Sequence, residues 1–293
     1  MAEESYIKAD GGLADLHIHT VNSDGSFTPL EVVERAAAVG LKAIGITDHD
    51  AIAGIPLAQK AGQAHNLEVI PGIELSSVEN DNSIHMLGYF IEIENKKLNS
   101  LLELFYEERI GRARRITDKL RRMGIGISFE SVCQKAEPGP IGRPHIAQAL
   151  LEGGFVLSYE EAFLKYLATG RPAFEPNYPI SPQEAIQVIH EAGGISFIAH
   201  PDYEVLDGRL GTLIKSGLDG IEILHPRFGE PTVRRLYNLA IEKGLLVSGG
   251  SDFHGGRDGL SGIGKHTVPY RFVEEMKQKM KVEQTSSTIR GSS

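Results

Sequence analysis

Histidines and acidic residues recur in this chain at the places where short apolar strands are predicted to end. His17 and His19 are one residue apart in a segment of period two, so both imidazoles project from the same side of a strand. Imidazole nitrogen and carboxylate oxygen are ligands of manganese, iron and zinc. The residues of these types at or beside later strand ends are Asp24, His49, Glu74, His85, His200, Asp252 and His254.

These residues are far apart in sequence, yet a barrel would bring them together. The carboxyl ends of parallel barrel strands open on one face, where the following loops converge. Any one of these residues could be an ordinary capped strand end. So many carboxylates and imidazoles together would be costly to bury without a cation. The set therefore predicts a multinuclear metal site.

The elements that must position these residues alternate between strands and helices, which is typical of an α/β fold. A helix predicted over 28–39 begins with the capping-box residues Thr28 and Glu31, with a proline at its first turn. We predict about seven strands, at residues 13–17, 42–47, 67–73, 84–91, 195–199, 220–224 and 245–248.

Between residues 95 and 175 the strand pattern is replaced by helices, the first predicted over 98–123. The sequence thus predicts a barrel made of 1–94 and 176–281, with a helical insertion of 95–175 that covers its site. The basic run at 109–122 has two interpretations, a solvated helix face or a wall that faces the substrate. Residues 282–293 are predicted to be a disordered tail.

Charge and composition exclude several classes of protein. A formal net charge of −9 over 293 residues gives no general attraction to long nucleic acid or to anionic membranes. The one cysteine, Cys133, cannot form an internal disulfide and fits a reducing compartment. No segment approaches the ~20 apolar residues of a membrane span, and the acidic N-terminus lacks a signal-peptide pattern. We expect a cytoplasmic protein.

Five segments that carry these residues resemble the motifs of the polymerase-and-histidinol-phosphatase (PHP) superfamily. They are 15–20 (DLHIHT), 46–50 (ITDHD), 71–74 (PGIE), 199–201 (AHP) and 249–254 (GGSDFH). Two further segments, 142–147 (GRPHIA) and 170–173 (GRPA), resemble the subgroup of nucleoside 3′,5′-bisphosphate phosphatases that also act as 5′-to-3′ exonucleases on short RNA.

The resemblance implies a distorted (β/α)7 barrel that holds two or three divalent ions, usually manganese, with iron or zinc as possible occupants. It implies three ligand groups, of which Glu74 bridges the first two: His17, His19, Glu74 and Asp252; Glu74, His85 and His200; Asp24, His49 and His254. His17, His19, Glu74, Asp252 and His254 are also the expected catalytic residues. Asp15 and Asp48 are expected to orient imidazoles through their second N–H.

Three residues are expected on the substrate side. Arg143 precedes a proline at a predicted helix start, where its guanidinium and free N–H groups could bind phosphate, although it could instead cap the insertion against the barrel. His145 could donate to the same phosphate or face solvent. His225 ends a strand and faces the same mouth; three residues on, Phe228 replaces a histidine that is common in the subgroup.

The leading hypothesis is a metal-dependent phosphoesterase that removes the 3′-phosphate of nucleoside 3′,5′-bisphosphates and also trims short 5′-phosphorylated oligonucleotides. Divalent ions would generate the nucleophile from water near neutral pH. The alternatives are a histidinol-phosphate phosphatase and a non-catalytic interaction module of the same superfamily. The oligomeric state is left open.

Overall fold

A computed structural model describes residues 11–80, 82–176, 178, 180–255 and 262–290 of the chain. Eight strands form one sheet: β1 (Leu13–Ile18), β2 (Ala43–Ile46), β3 (Glu68–Glu79), β4 (Asn82–Tyr89), β5 (Ile195–Ile198), β6 (Gly220–Leu224), β7 (Leu246–Gly249) and β8 (Val268–Pro269). The helices are α1 (Pro29–Ala38), α2 (Ile55–His65), α3 (Lys96–Arg122), α4 (Phe129–Ala136), α5 (Arg143–Glu152), α6 (Tyr159–Ala162), α7 (Pro182–Glu191), α8 (Tyr203–Lys215), α9 (Glu230–Lys243) and α10 (Arg271–Arg290).

The sheet follows the order β7-β6-β5-β4-β3-β2-β1-β8 and curves into a nearly closed barrel. A bridge between Ile18 and Phe253 brings β1 beside the segment that follows β7. The predicted α/β barrel is confirmed, with one strand more than the seven that the sequence indicates. The additional strand, β8, pairs antiparallel with β1 and has only two residues, which is too short for a period-two pattern to reveal.

Strand β4 runs antiparallel to both of its neighbours, β3 and β5. The start of β4 therefore lies beside the end of β3, and His85 is the register partner of Ser76. This reversal places His85, which lies early in its strand, at the same end of the barrel as residues that follow the parallel strands.

Helix α1 shows how the sequence specifies the outer layer. Thr28 and Glu31 form the predicted capping box, in which each side chain bonds the other residue's backbone N–H. Val32, Val33 and Ala36 recur at helical spacing and are fully buried in the barrel core.

Two hydrophobic cores share helix α3. Leu98 and Leu102, near its start, belong to the barrel core. Ile116 and Leu120, near its end, belong to a second core built by the helices that follow. The domain boundaries at 95 and 175 stay a prediction.

The last helix, α10, continues through residues 282–290, where the sequence analysis expected disorder. No glycine or proline interrupts the segment 271–290, so nothing in the sequence stops the helix earlier. The rest of the predicted tail, 291–293, lies outside the described residues. None of the described helices is long and apolar enough to cross a membrane.

Candidate metal centre

Glu74, in the middle of β3, is fully buried and lies at the centre of the site. Its Oε2 is 3.0–3.2 Å from nitrogens of three imidazoles, and its Oε1 is 2.8–3.0 Å from nitrogens of two more. The histidines around this one carboxylate are His17, His19, His49, His85 and His200.

Asp252 completes the first group of candidate ligands. Its Oδ1 lies 3.1 Å from Nε2 of His19 and 3.3 Å from Nε2 of His17. One ligand atom from each of these residues and from Glu74 lies within 4.8 Å of the others. The four residues are those that the resemblance assigns to one ion.

A second group surrounds Asp24, in the loop after β1. Its Oδ1 lies 3.2 Å from Nε2 of His254, and the rings of His254 and His19 stack with centroids 4.1 Å apart. His49 belongs to this group and also to a third one with Glu74 and His85. The structure thus brings together all nine residues predicted as metal ligands, and it adds His19 to the group around Asp24.

These residues fit divalent cations, as two buried polar atoms show. Oδ1 of Asp24 lies 3.2 Å from Nε2 of His254, and Nδ1 of His49 lies 3.0 Å from Oε2 of Glu74. Both atoms are buried, yet neither forms a hydrogen bond of regular geometry within the described part of the chain. A buried polar atom without a partner is costly, and a cation bound between these atoms would satisfy both. All the donors are imidazole nitrogens and carboxylate oxygens, a set suited to manganese, iron or zinc.

The electrostatics of the cluster differ between its ligands. Asp24 and Asp252 raise the pKa of His254 to about 10 against the effect of burial, so this imidazole would release a proton on binding a metal. Burial alone would raise the pKa of Glu74, but the surrounding histidines hold it well below its usual range. Burial lowers the pKa of His49 to about 3, against the attraction of Glu74 and Asp24. Glu74 is thus anionic and His49 neutral near pH 7, which are the forms that bind a metal.

Two candidate ligands follow strands in an unusual backbone conformation. His200, after β5, has φ 28°, and Asp252, after β7, has φ 48°. Such angles are strained for residues other than glycine and cluster at functional sites. Close packing also restricts the segment that leads from β7 to Asp252. A Cβ on Gly250 would lie 2.3 Å from the backbone nitrogen of His17, so only glycine fits there.

Glu222 is a buried acidic residue of the site that the sequence analysis missed. Its Oε1 lies 2.8 Å from Nδ1 of His17, and its Oε2 accepts a hydrogen bond from the backbone N–H of His200 at 2.6 Å. The available signal was a charged residue inside the otherwise apolar strand β6.

Asp15 and Asp48 do not make the contacts that the sequence analysis assigned to them. Among the described residues, Asp15 accepts hydrogen bonds from the backbone N–H groups of Ser251 and Gly264. Asp48 accepts from Thr20 and from the Ser23 hydroxyl. These carboxylates hold the loops that carry the ligands, because they accept hydrogen bonds from the N–H and O–H groups of those loops.

The predicted substrate residues divide into two places. Arg143 and His145, at the start of α5, line a cavity of about 150 Å³ together with Asp24, His49 and His85. His145 is 4% exposed, and its Nδ1 accepts a hydrogen bond from the Gly142 backbone N–H, so it does not face solvent.

His225 lies elsewhere, beside the candidate metal ligand Asp252. It is buried, and its Nε2 lies 3.0 Å from Oδ2 of Asp252. Phe228, which replaces the subgroup's histidine, packs against it with ring centroids 5.5 Å apart. His225 thus contacts Asp252 and is not among the residues that line the cavity beside Arg143.

Helix α3 contributes two arginines to the same cavity, Arg109 and Arg112. Arg109 forms an ion pair with Asp50, in the loop after β2, and donates to the Ser76 hydroxyl at 3.1 Å. This part of the basic run at 109–122 therefore faces the site. Arg121, near the end of the helix, is largely exposed, so the solvated interpretation holds there.

Comparison with known proteins places most of the chain in one family. The family model of the PHP domain matches residues 15–169. The chain is 34% identical over 249 residues to the 5′-3′ exoribonuclease Rnm of Salmonella typhimurium, covering 82% of this chain and 84% of the relative. It is 33% identical over 254 residues to the 3′,5′-nucleoside bisphosphate phosphatase of Chromobacterium violaceum, covering 83% and 89%.

A third relative has a different named activity. The phosphoribosyl 1,2-cyclic phosphate 1,2-diphosphodiesterase of Eggerthella lenta is 29% identical over 247 residues, covering 83% of this chain and 94% of the relative. Among solved structures, a Bifidobacterium adolescentis protein described as a metal-dependent phosphoesterase superposes with a TM-score of 0.83 at 31% identity, covering 92% of this chain and 96% of that one.

Proposed function

Because the chain belongs to the PHP domain family, we propose that it removes the 3′-phosphate of nucleoside 3′,5′-bisphosphates and trims short 5′-phosphorylated oligonucleotides. It is a hydrolase of phosphoric esters, the class to which the named activities of its relatives belong.

One observation carries the choice of substrate. The cavity beside the candidate metal ligands is lined by Asp24, His49 and His85, which would attract a phosphate through the cations they bind, and by Arg143 with His145. A guanidinium is suited to phosphate because it donates two parallel hydrogen bonds. A substrate with two phosphates would place one at the cluster and the other at Arg143.

The three ligand groups would hold two or three divalent ions, and we propose manganese. Ions bound there would activate water and neutralise charge on the phosphoryl oxygens. The chain's own part is positioning. Glu74 lies within reach of two groups, Glu222 fixes the ring of His17, and Arg143 with His145 would hold the phosphate that is not cleaved.

The negative net charge of the chain favours a short substrate over a long nucleic acid. With a net charge of −9, the surface offers no general attraction to a long polyanion, whereas a few buried arginines can hold one or two phosphates. The single cysteine favours a reducing compartment, and we propose the cytoplasm.

The test is phosphate release from adenosine 3′,5′-bisphosphate by the manganese-loaded protein. Arg143→Gln should lower kcat/KM for the bisphosphate by about 10- to 100-fold, the usual value of a charged hydrogen bond, and leave adenosine 3′-monophosphate within about twofold. The matched control is Arg121→Gln, an exposed arginine on α3 that pairs with Asp118.

Histidinol phosphate serves as the comparison substrate. Faster turnover of histidinol phosphate, or of another phosphomonoester, with no release from the bisphosphate would contradict the proposal. Absence of hydrolysis with every phosphoester and every metal would instead favour a non-catalytic module.

A further inference from the structure

A second cavity adjoins the one beside the metal cluster. Its volume is about 190 Å³, and it shares Ser76, Arg109 and Arg112 with the first cavity. Its remaining wall includes Phe105, Arg115 and Tyr178, none of which lines the first cavity. A ligand longer than a single nucleotide could therefore extend from one cavity into the other.

Arg112 is the cation of this wall that lacks an acidic partner. Arg109 is paired with Asp50, and Arg115 lies 3.0 Å from a carboxylate oxygen of Glu175. Arg112 is only 6% exposed, yet within the described ranges it forms no ion pair, and its Nε donates to the backbone carbonyl of Glu175 at 2.9 Å.

Burial and the neighbouring arginines destabilise the charged form of Arg112. They lower the pKa of Arg112 to about 9, so it remains a cation near pH 7. The charge of Glu175 offsets only part of this effect, and an anion bound in the cavity would offset more of it.

Two aromatic residues, Phe105 and Tyr178, also line the second cavity. Tyr178 is 38% exposed, and its ring centroid lies 6.1 Å from that of the buried Phe105. An exposed aromatic ring beside a cationic groove is the usual arrangement for binding single-stranded nucleic acid, since any base can stack on the ring.

We propose that the second cavity binds the next nucleotide of a short oligonucleotide, with its phosphate at Arg112 and its base against Tyr178. This inference rests on the proposed function, because it takes the first nucleotide to occupy the cavity beside the metal cluster. In this proposal, residues 105–115 and Tyr178 determine how long a substrate is bound, and they take no part in hydrolysis.

The experiment measures binding to the manganese-loaded full chain by calorimetry. The probes are a 5′-phosphorylated adenosine trinucleotide with phosphorothioate linkages and a phosphonate analogue of adenosine 3′,5′-bisphosphate, both of which resist cleavage; the analogue is called the bisphosphate in this experiment. Tyr178→Ala should weaken trinucleotide binding about tenfold, the effect of losing one stacked base, and change bisphosphate binding less than twofold. Arg112→Gln should weaken trinucleotide binding more than bisphosphate binding.

Two variants serve as references. Arg143→Gln, which lines the first cavity alone, should weaken both probes, and Arg121→Gln should weaken neither. Equal loss of both probes in Tyr178→Ala would overturn the inference, because the ring would then hold the base of the first nucleotide. So would an unchanged trinucleotide affinity in Tyr178→Ala, or wild-type protein that binds the trinucleotide no more tightly than the bisphosphate.

Failure of the proposed function has a different signature. It would appear as the absence of phosphate release from the bisphosphate, whichever probe binds more tightly.

Discussion

Glu222 and His17 form a buried pair in which the carboxylate oxygen lies 2.8 Å from Nδ1 of the imidazole. The other ring nitrogen, Nε2, points to Glu74 and Asp252. A carboxylate on the far nitrogen of a ligand histidine fixes the ring and increases its basicity. The pair connects strand β6 to the candidate ligands at the end of β1.

Glu222→Gln should therefore weaken binding of manganese by about 10- to 100-fold, because the amide keeps the shape of the side chain but loses its charge. Calorimetric titration of the metal-free protein measures this. Glu242→Gln, on the exposed face of α9, is the control. A Glu222→Gln variant that binds manganese as tightly as the wild type would show that the pair is only structural.

The number of bound ions should depend on which carboxylate is removed. Asp24 belongs to one ligand group, whereas Glu74 belongs to two. Asp24→Asn should reduce the metal content by about one ion per chain, and Glu74→Gln by more, as measured by elemental analysis after dialysis. Asp118→Asn, at an exposed site on α3, should change nothing. Equal losses in the first two variants would refute the shared role of Glu74.

The ion pair between Asp50 and Arg109 joins the barrel to helix α3 and is largely buried. Removal of one partner leaves the other as an uncompensated charge, so Asp50→Ala should cost about 3–5 kcal/mol of unfolding free energy. The double variant Asp50→Ala, Arg109→Ala should cost less than the sum of the single variants. Urea denaturation of the four proteins measures the coupling, and additive effects would contradict it.

Asp219 predicts a pH-dependent contribution to stability away from the metal cluster. Burial would raise its pKa, but hydrogen bonds from His190, the Ser196 backbone and Lys279 lower it below the ordinary 3.8. A carboxyl with a lowered pKa stabilises the fold above its unfolded pKa, and this contribution is lost as pH falls through the folded value.

Asp219→Asn should consequently reduce the unfolding free energy by about 1.5–3 kcal/mol at pH 6, and the difference from wild type should shrink below pH 3.8. Urea denaturation at pH 6, 4.5 and 3 provides the comparison. A difference that stays constant across this range would mean that the charge of Asp219 contributes nothing.

The metal cluster was largely predictable because its residues obey a local rule. Most predicted ligands lie near a strand end or in the loop beyond it, and the period-two pattern at His17 and His19 is readable without a structure. Glu74 differs, because β3 continues to Glu79 and leaves it in the middle of the strand. The contacts of Asp15 were not predictable. They reach Ser251 and Gly264, and no local spacing relates such distant positions.

The substrate side was less predictable for a related reason. Arg112 is one of several basic residues in a helix, and its burial depends on how α3 is rotated against the barrel. Helical spacing places Arg112 on the same face as Ile116 and Leu120, unlike the exposed Arg121, but it does not reveal that this arginine lines a cavity. Strand β8 was missed because two residues, one of them Pro269, carry no pattern.

Helix α3 has a mechanical consequence for the enzyme. Its first turns are anchored in the barrel core by Leu98 and Leu102, and its last turns are anchored in the second core by Ile116 and Leu120. The cavity-lining arginines of this helix, Arg109, Arg112 and Arg115, lie between these anchors. Because α3 is one continuous helix, it keeps the two cores a fixed number of helical turns apart. If the proposed function holds, this distance helps to set the length of substrate that fits, and changes of side chains along α3 should alter it together with changes at Tyr178.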